Sequence, residues 1–109
     1  MTIEKLLKFI KAESGRLQKK YKVKDPSIKI LGRMAKLTEE VGELSSEILA
    51  AQGFQRKEKL DRHTKEAIGH EIADVIICTL LIAEYLDIDA KKSLESKISK
   101  IEKRHLENP

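Results

Sequence analysis

Residues 72–83 read IADVIICTLLIA, an apolar run broken only by Asp74 and Thr79. A helix built from it is hydrophobic on every side, and such a helix is stable only where other elements surround it. The run calls for a fold in which this helix is enclosed, and it predicts that Asp74 is at least partly buried. A carboxylate in that position without a partner costs several kcal/mol. The sequence therefore requires a counter-charge near Asp74, either a cation such as Arg33 or Lys36, or a metal ion.

The rest of the chain supplies the surrounding helices. Thr2 caps a first helix that carries Ile3, Leu6, Leu7, Ile10 and Leu17 at helical spacing as far as about Lys20. Asp25 followed by Pro26 is a helix start, with an acceptor side chain at the cap and a proline in the first turn. This second helix is expected to run to about Ala51, with Gly53 placed to stop it. Residues 53–62 (GFQRKEKLDR) show no period and read as a loop. A third helix begins near His63 or Thr64 and continues to about Leu86. After a turn at Asp87 to Asp89, Asp89 caps a fourth helix from Ala90 to about His105. The expected fold is all-α, a four-helix bundle-like unit forming a single domain over residues 1–109. A monomer of 109 residues buries only about two-thirds of its unfolded surface, so assembly into a dimer or tetramer is expected.

On the second helix Met34, Leu37, Val41, Leu44 and Ile48 form one apolar stripe, and on the third Ile68, Ile72, Val75, Thr79, Ile82 and Leu86 form another. At ~100° per residue, Glu40 and Glu43 lie roughly 80° and 140° to one side of the second helix's stripe. Glu71 and Asp74 have the same offset from theirs, in the same sense. The segments EVGE and EIAD thus each place two acids at i and i+3, where side chains are neighbours. On a lysine-rich helix such pairs are usually a solvated face. Two pairs with matched offsets, one of them in apolar surroundings, point instead to a cage of four carboxylates. Four converging carboxylates repel one another unless cations fill the space between them. Oxygen-only ligation suits Mg²⁺ or Mn²⁺, and magnesium characteristically shares its ligation between carboxylates, water and phosphates. The implied partner is a nucleotide or a diphosphate.

Other classes are disfavoured. The net charge of +4 is spread along the chain, and aromatic residues make up 4% of it, which speaks against a stable nucleic-acid partner. The single cysteine, Cys78, sits in the apolar run and reads as a small core residue. No apolar run has the length of a membrane span, and no leader pattern is evident, so the expected location is cytoplasmic with no membrane partner. His63 and His70 read as surface residues rather than bases. Glu47 reads as a surface acid, or as a group one turn beyond the cage.

KLTEEVGEL at Lys36 to Leu44, then EIAD at Glu71 to Asp74, an apolar continuation and LDIDAKKSLESK resemble the MazG-like members of the all-α nucleoside triphosphate pyrophosphohydrolases. The resemblance covers residues 31–104. It implies magnesium-dependent hydrolysis of a ribo- or deoxyribonucleoside triphosphate to the monophosphate and pyrophosphate, in a homodimer or homotetramer. Clearance of non-canonical nucleotides is the role it suggests. Carried over by position, Glu40, Glu43, Glu71 and Asp74 correspond to the metal ligands, with Mn²⁺ an alternative to Mg²⁺. Glu39 corresponds to the residue that holds or activates the attacking water, although the helical projection sets it farther from the apolar stripe. Lys97, Lys100 and Arg104 fall where the family carries phosphate-binding cations, yet their spacing is equally that of a solvated stripe. Ile101 stands where the family has an asparagine. The alternative reading is an inactive helical binding or assembly module that retains the scaffold, and the chain leaves the nucleobase open.

Overall fold

A computed structural model describes residues 1–54 and 62–109, apart from the side chains of Gly53, Phe54 and His63. The described chain consists of helices α1 (Ile3–Lys20), α2 (Pro26–Phe54), α3 (Arg62–Tyr85) and α4 (Ala90–Glu107), with no strand among the described residues. The expected loop at 53–62 lies, apart from its ends, outside the described residues.

The helix starts are those that the cap residues dictate. Thr2 Oγ1 accepts from the Lys5 N–H at 3.1 Å, Asp25 Oδ1 from the Ser27 N–H at 2.9 Å, and Asp89 Oδ1 from the Lys92 N–H at 3.0 Å. The stop expected at Gly53 does not occur, because α2 continues through Phe54. A glycine ends a helix only where it takes the left-handed conformation, and α3 shows that device at a different residue. Asp87 has φ 56°, while the Ile88 N–H donates to the Ala83 carbonyl at 2.8 Å and the Asp87 N–H to the Glu84 carbonyl at 3.2 Å. These two bonds make a Schellman close. The short polar side chain of Asp87 tolerates a conformation that costs most residues about 1–2 kcal/mol.

Helix α3 packs along α2 and, on another side, against α1. Ile10, Ala51 and Leu81 form the small buried apolar core, accompanied by Ser14 and Glu40. Arg33 joins three helices. Its Nη2 donates to Ser14 Oγ at 3.4 Å, and its guanidinium lies 5.5 Å from the ring centre of Tyr85. The Tyr85 hydroxyl donates to the Pro26 carbonyl at 3.1 Å and so closes the far end of the α2–α3 pair. Helix α4 has no buried residue, touches α3 only lightly and is tied to α1 by Lys91 Nζ and Glu4 Oε1 at 3.0 Å.

The two apolar stripes are not the faces that this packing buries. Met34, Val41 and Ile48 are exposed on α2, whose covered face carries Arg33, Leu37, Glu40, Leu44, Glu47 and Ala51. That face is turned by about 60° toward the acids, at ~100° per residue. On α3, Ile68, Val75 and Ile82 are half-buried, whereas Ile72, Thr79 and Leu86 are exposed. Asp74 is exposed too, contrary to the expectation that its apolar neighbours bury it. Burial of α3 by three neighbouring helices was the premise, but α2 and α1 leave one of its sides open.

By helical phase, Met34, Val41 and Ile48 share one side of the α2–α3 hairpin with Ile72 and Ile76, all exposed. The accessible surface of 8829 Å² exceeds the about 6,100 Å² of a compact monomer of this mass. The radius of gyration of 17.2 Å likewise exceeds the about 13 Å of a compact chain of this length.

Ile10 is 1% exposed and is the largest fully buried side chain among the described residues. Ile10→Ala is therefore expected to cost roughly 2–5 kcal/mol in denaturant unfolding, against within about 0.5 kcal/mol for the exposed Lys11→Ala. Equal effects would place the core elsewhere.

Candidate metal centre

Glu40 is the acid at the centre of the α2 packing face. It is 6% exposed, far below the norm for a glutamate. Its position follows from Leu37, Leu44 and Ala51, which share its face at three- and four-residue spacing and pull the carboxylate into the hairpin with them. Glu71 occupies the corresponding place on α3 and is half-buried. Glu43 and Asp74, one turn further along their helices, sit at the exposed margin of the same side.

The packing brings these acids together in two overlapping sets. Glu39, Glu40 and Glu43 each offer an oxygen within 4.8 Å of one another, as do Glu40, Glu71 and Asp74. Glu40 belongs to both. The structure thus groups all four acids of EVGE and EIAD and adds Glu39, which the projection had set aside. Glu47 lies half-buried on the α2 face, and His70 is exposed. The side chain of His63 is outside the described residues. Lys97, Lys100, Ile101 and Arg104 are all exposed on α4, and the three cations take part in no ion pair among the described residues.

Electrostatics separate the members of the cluster. Glu40 Oε1 accepts from Lys36 Nζ at 3.1 Å, and Glu39 Oε1 lies 3.6 Å from the same ammonium. Oε2 of Glu40 and Oε2 of Glu71 are buried without a hydrogen-bond partner. Buried carboxylate oxygens are ordinarily satisfied, since leaving one bare forfeits its hydration. A cation would satisfy both oxygens at once, since neither ionised carboxylate can donate to the other. The charge of Glu40, with further contributions from Glu71 and Glu39, pushes the Glu43 carboxyl above its ordinary value. The donor set is all oxygen, which fits Mg²⁺ or Mn²⁺.

Beside the cluster, on the same side of the hairpin, α1, α2 and α3 enclose a groove of about 670 Å³. Phe9, Tyr21 and Ile28 form apolar walls, Arg33 stands within it, and Lys36 and Cys78 mark the end toward the acids. Burial pushes the half-buried Cys78 thiol above its ordinary value, as expected of a packing residue rather than a nucleophile. The sequence by itself left the nucleobase open. Phe9 and the cap residue Tyr21 both belong to α1, and the docking of α1 on α3 sets them along one groove. The four-residue spacing of Phe9, Glu13 and Leu17 was the available signal.

A model of the MazG nucleotide pyrophosphohydrolase domain matches residues 30–107. The chain belongs to the MazG nucleotide pyrophosphohydrolase family. No curated protein and no solved structure matches it. The family is one of nucleoside triphosphate pyrophosphohydrolases that generally depend on a divalent metal. The matched MazG segment begins in α2 and contains both acid pairs, whereas α1, with Phe9 and Tyr21, lies outside it. Among the described residues no helix is long and apolar enough to cross a membrane.

An acid whose pKa is raised on folding, as that of Glu43 is, stabilises the folded state below that raised value, and the contribution is lost as pH rises through it. At neutral pH the repulsion is in place and a cation can relieve it. Added Mn²⁺ is accordingly expected to raise Tm most near neutrality. The increment should shrink as pH falls to about 4–5, where protons replace the ion. A thermal scan in which the increment grows on acidification would contradict the carboxylate cage.

Proposed function

We propose that this MazG-family protein hydrolyses a nucleoside triphosphate to the monophosphate and pyrophosphate, with Mg²⁺ or Mn²⁺ held by Glu40, Glu43, Glu71 and Asp74. The observation that carries the reading is Glu40, buried and shared by two acidic triplets, with one oxygen left bare as is one of Glu71 in the same triplet. A structural glutamate would bring its own donors to both oxygens.

Bound divalent ions would neutralise the carboxylates and the phosphates and acidify a coordinated water. Glu39, whose exposed carboxylate borders Glu40 and Glu43, is suited to orient that water and receive its proton. The water oxygen bonds to the α-phosphorus while the bond from that phosphorus to the bridging oxygen breaks. The electron pair leaves with pyrophosphate. The groove is suited to the nucleoside, with the base against its apolar wall and the phosphates running past Lys36 to the acids. Its walls carry few fixed polar groups, which supports tolerance among bases over a strict choice.

Lys97, Lys100 and Arg104 remain candidates for phosphate binding, although α4 stands away from the α2 face in the single chain. The open apolar side formed by Met34, Val41, Ile48, Ile72 and Ile76, with the surface excess, supports a homodimer or larger assembly. Such an assembly offers the cations of α4 a second cluster to meet. Action on non-canonical nucleotides in the cytoplasm accords with the family and stays part of the proposal.

One observation favours the alternative of an inactive scaffold: Glu40 is already paired with Lys36. Activity decides between them. Glu40→Gln and Asp74→Asn are each expected to lower pyrophosphate release by about a hundredfold or more at saturating Mg²⁺. Full activity in either variant rejects the cage, and no activity in the unmodified protein across a panel of canonical and modified triphosphates supports the scaffold. Light scattering should find a species of at least twice 12.4 kDa, which Ile76→Glu dissociates. A lone 12.4 kDa species would remove the assembly.

A further inference from the structure

Lys36 is the only cation among the described residues that is ion-paired to the acidic cluster. Its ammonium lies 3.1 Å from Glu40 Oε1 and 3.6 Å from Glu39 Oε1. The two ends of the pair differ sharply, since the Lys36 side chain is 56% exposed and that of Glu40 is 8% exposed. An ordinary surface pair has two solvated partners and little effect. Here one partner is a buried charge that would otherwise have no counter-ion. The order along the helix also argues against a role in helix stability, because a lysine four residues before a glutamate is the less favourable arrangement.

The pairing is also incomplete. One ammonium covers Oε1 and leaves Oε2 of Glu40 and Oε2 of Glu71 bare. A divalent ion carries twice the charge and accepts several oxygens at once, so it outcompetes an ammonium wherever carboxylates converge. A cation bound there repels the ammonium. The lysine stem is long and flexible, and its other neighbour is the groove that it borders together with Arg33.

We propose that Lys36 is a built-in counter-ion of the empty cage, which yields Glu40 to the divalent ion and turns to the mouth of the groove to bind the triphosphate. The proposal rests on the metal-dependent reading above. It makes Lys36 a positioning residue for the cage and a binding residue for the phosphates. The two roles predict effects of opposite sign. A lysine that only binds phosphate leaves metal affinity alone, and one that only neutralises Glu40 leaves nucleotide affinity alone.

Calorimetry of the full chain with Mn²⁺ alone, and then with a non-hydrolysable nucleoside triphosphate in the presence of Mn²⁺, tests both. Lys36→Met is expected to bind Mn²⁺ roughly five- to tenfold more tightly, to bind the nucleotide by a similar factor more weakly, and to melt at a lower temperature without metal. The missing stability should return on adding Mn²⁺. Lys36→Arg keeps the charge and holds a carboxylate more firmly, so it should weaken Mn²⁺ binding, and it serves if Lys36→Met does not fold. Unchanged or weaker Mn²⁺ binding in Lys36→Met, or unchanged Mn²⁺ binding in Lys36→Arg, overturns the counter-ion role. Unchanged nucleotide affinity in Lys36→Met overturns the delivery. Absence of Mn²⁺ binding to the unmodified protein would instead defeat the cage itself, which separates the two failures.

Discussion

Glu40 sits where a hydrophobic residue would be expected, at the centre of the seam between α2 and α3, and the rest of the structure is arranged around that fact. Burying an ionised glutamate is unfavourable unless charge of opposite sign comes with it. The chain meets this requirement only in part, through one exposed lysine, and leaves an oxygen bare. The seam of the hairpin is therefore packed for something more than its own stability. Leu37, Leu44 and Ala51 hold the helix in the phase that presents Glu40 inward, and Glu71 meets it from α3.

Turning α2 and α3 so that the acids face each other has a second consequence. Apolar residues that would have filled the seam are displaced to its back, where Val41, Ile48, Ile72 and Ile76 face outward. The polar side and the apolar side of one hairpin are thus produced by the same rotation. A single chain gains a site and exposes a surface that favours association. Helix α1 lies on the site side and adds the groove, while Lys97, Lys100 and Arg104 of α4 take part in no ion pair among the described residues.

The family match and the geometry bear on different questions. Membership in the MazG family speaks to the class of reaction, and it covers residues 30–107. The arrangement of Glu39, Glu40, Glu43, Glu71 and Asp74 speaks to where metal and water can sit. Residues outside the matched segment, Phe9 and Tyr21, bear on what else the protein can recognise.

Much of this was legible in the chain itself. Thr2, Asp25 and Asp89 marked three helix starts because a cap depends on residues within one turn. The two acid pairs were visible because their spacing is a property of single helices. What the sequence could not set was the rotation of one helix against another. Phase read from apolar residues alone put Met34, Val41 and Ile48 inside and left Asp74 buried, whereas the folded chain exposes all four. That reading assumed one core, but a helix with apolar residues on two sides can bury only one within so small a unit. Tertiary packing decided which, and in doing so it joined Glu40 to Glu71 and Asp74, left Lys36 to pair with Glu40 rather than Asp74, and set α1 with Phe9 and Tyr21 along one groove. Local spacing determines which side chains share a helix face, and only the competition among contacts between helices determines what that face meets.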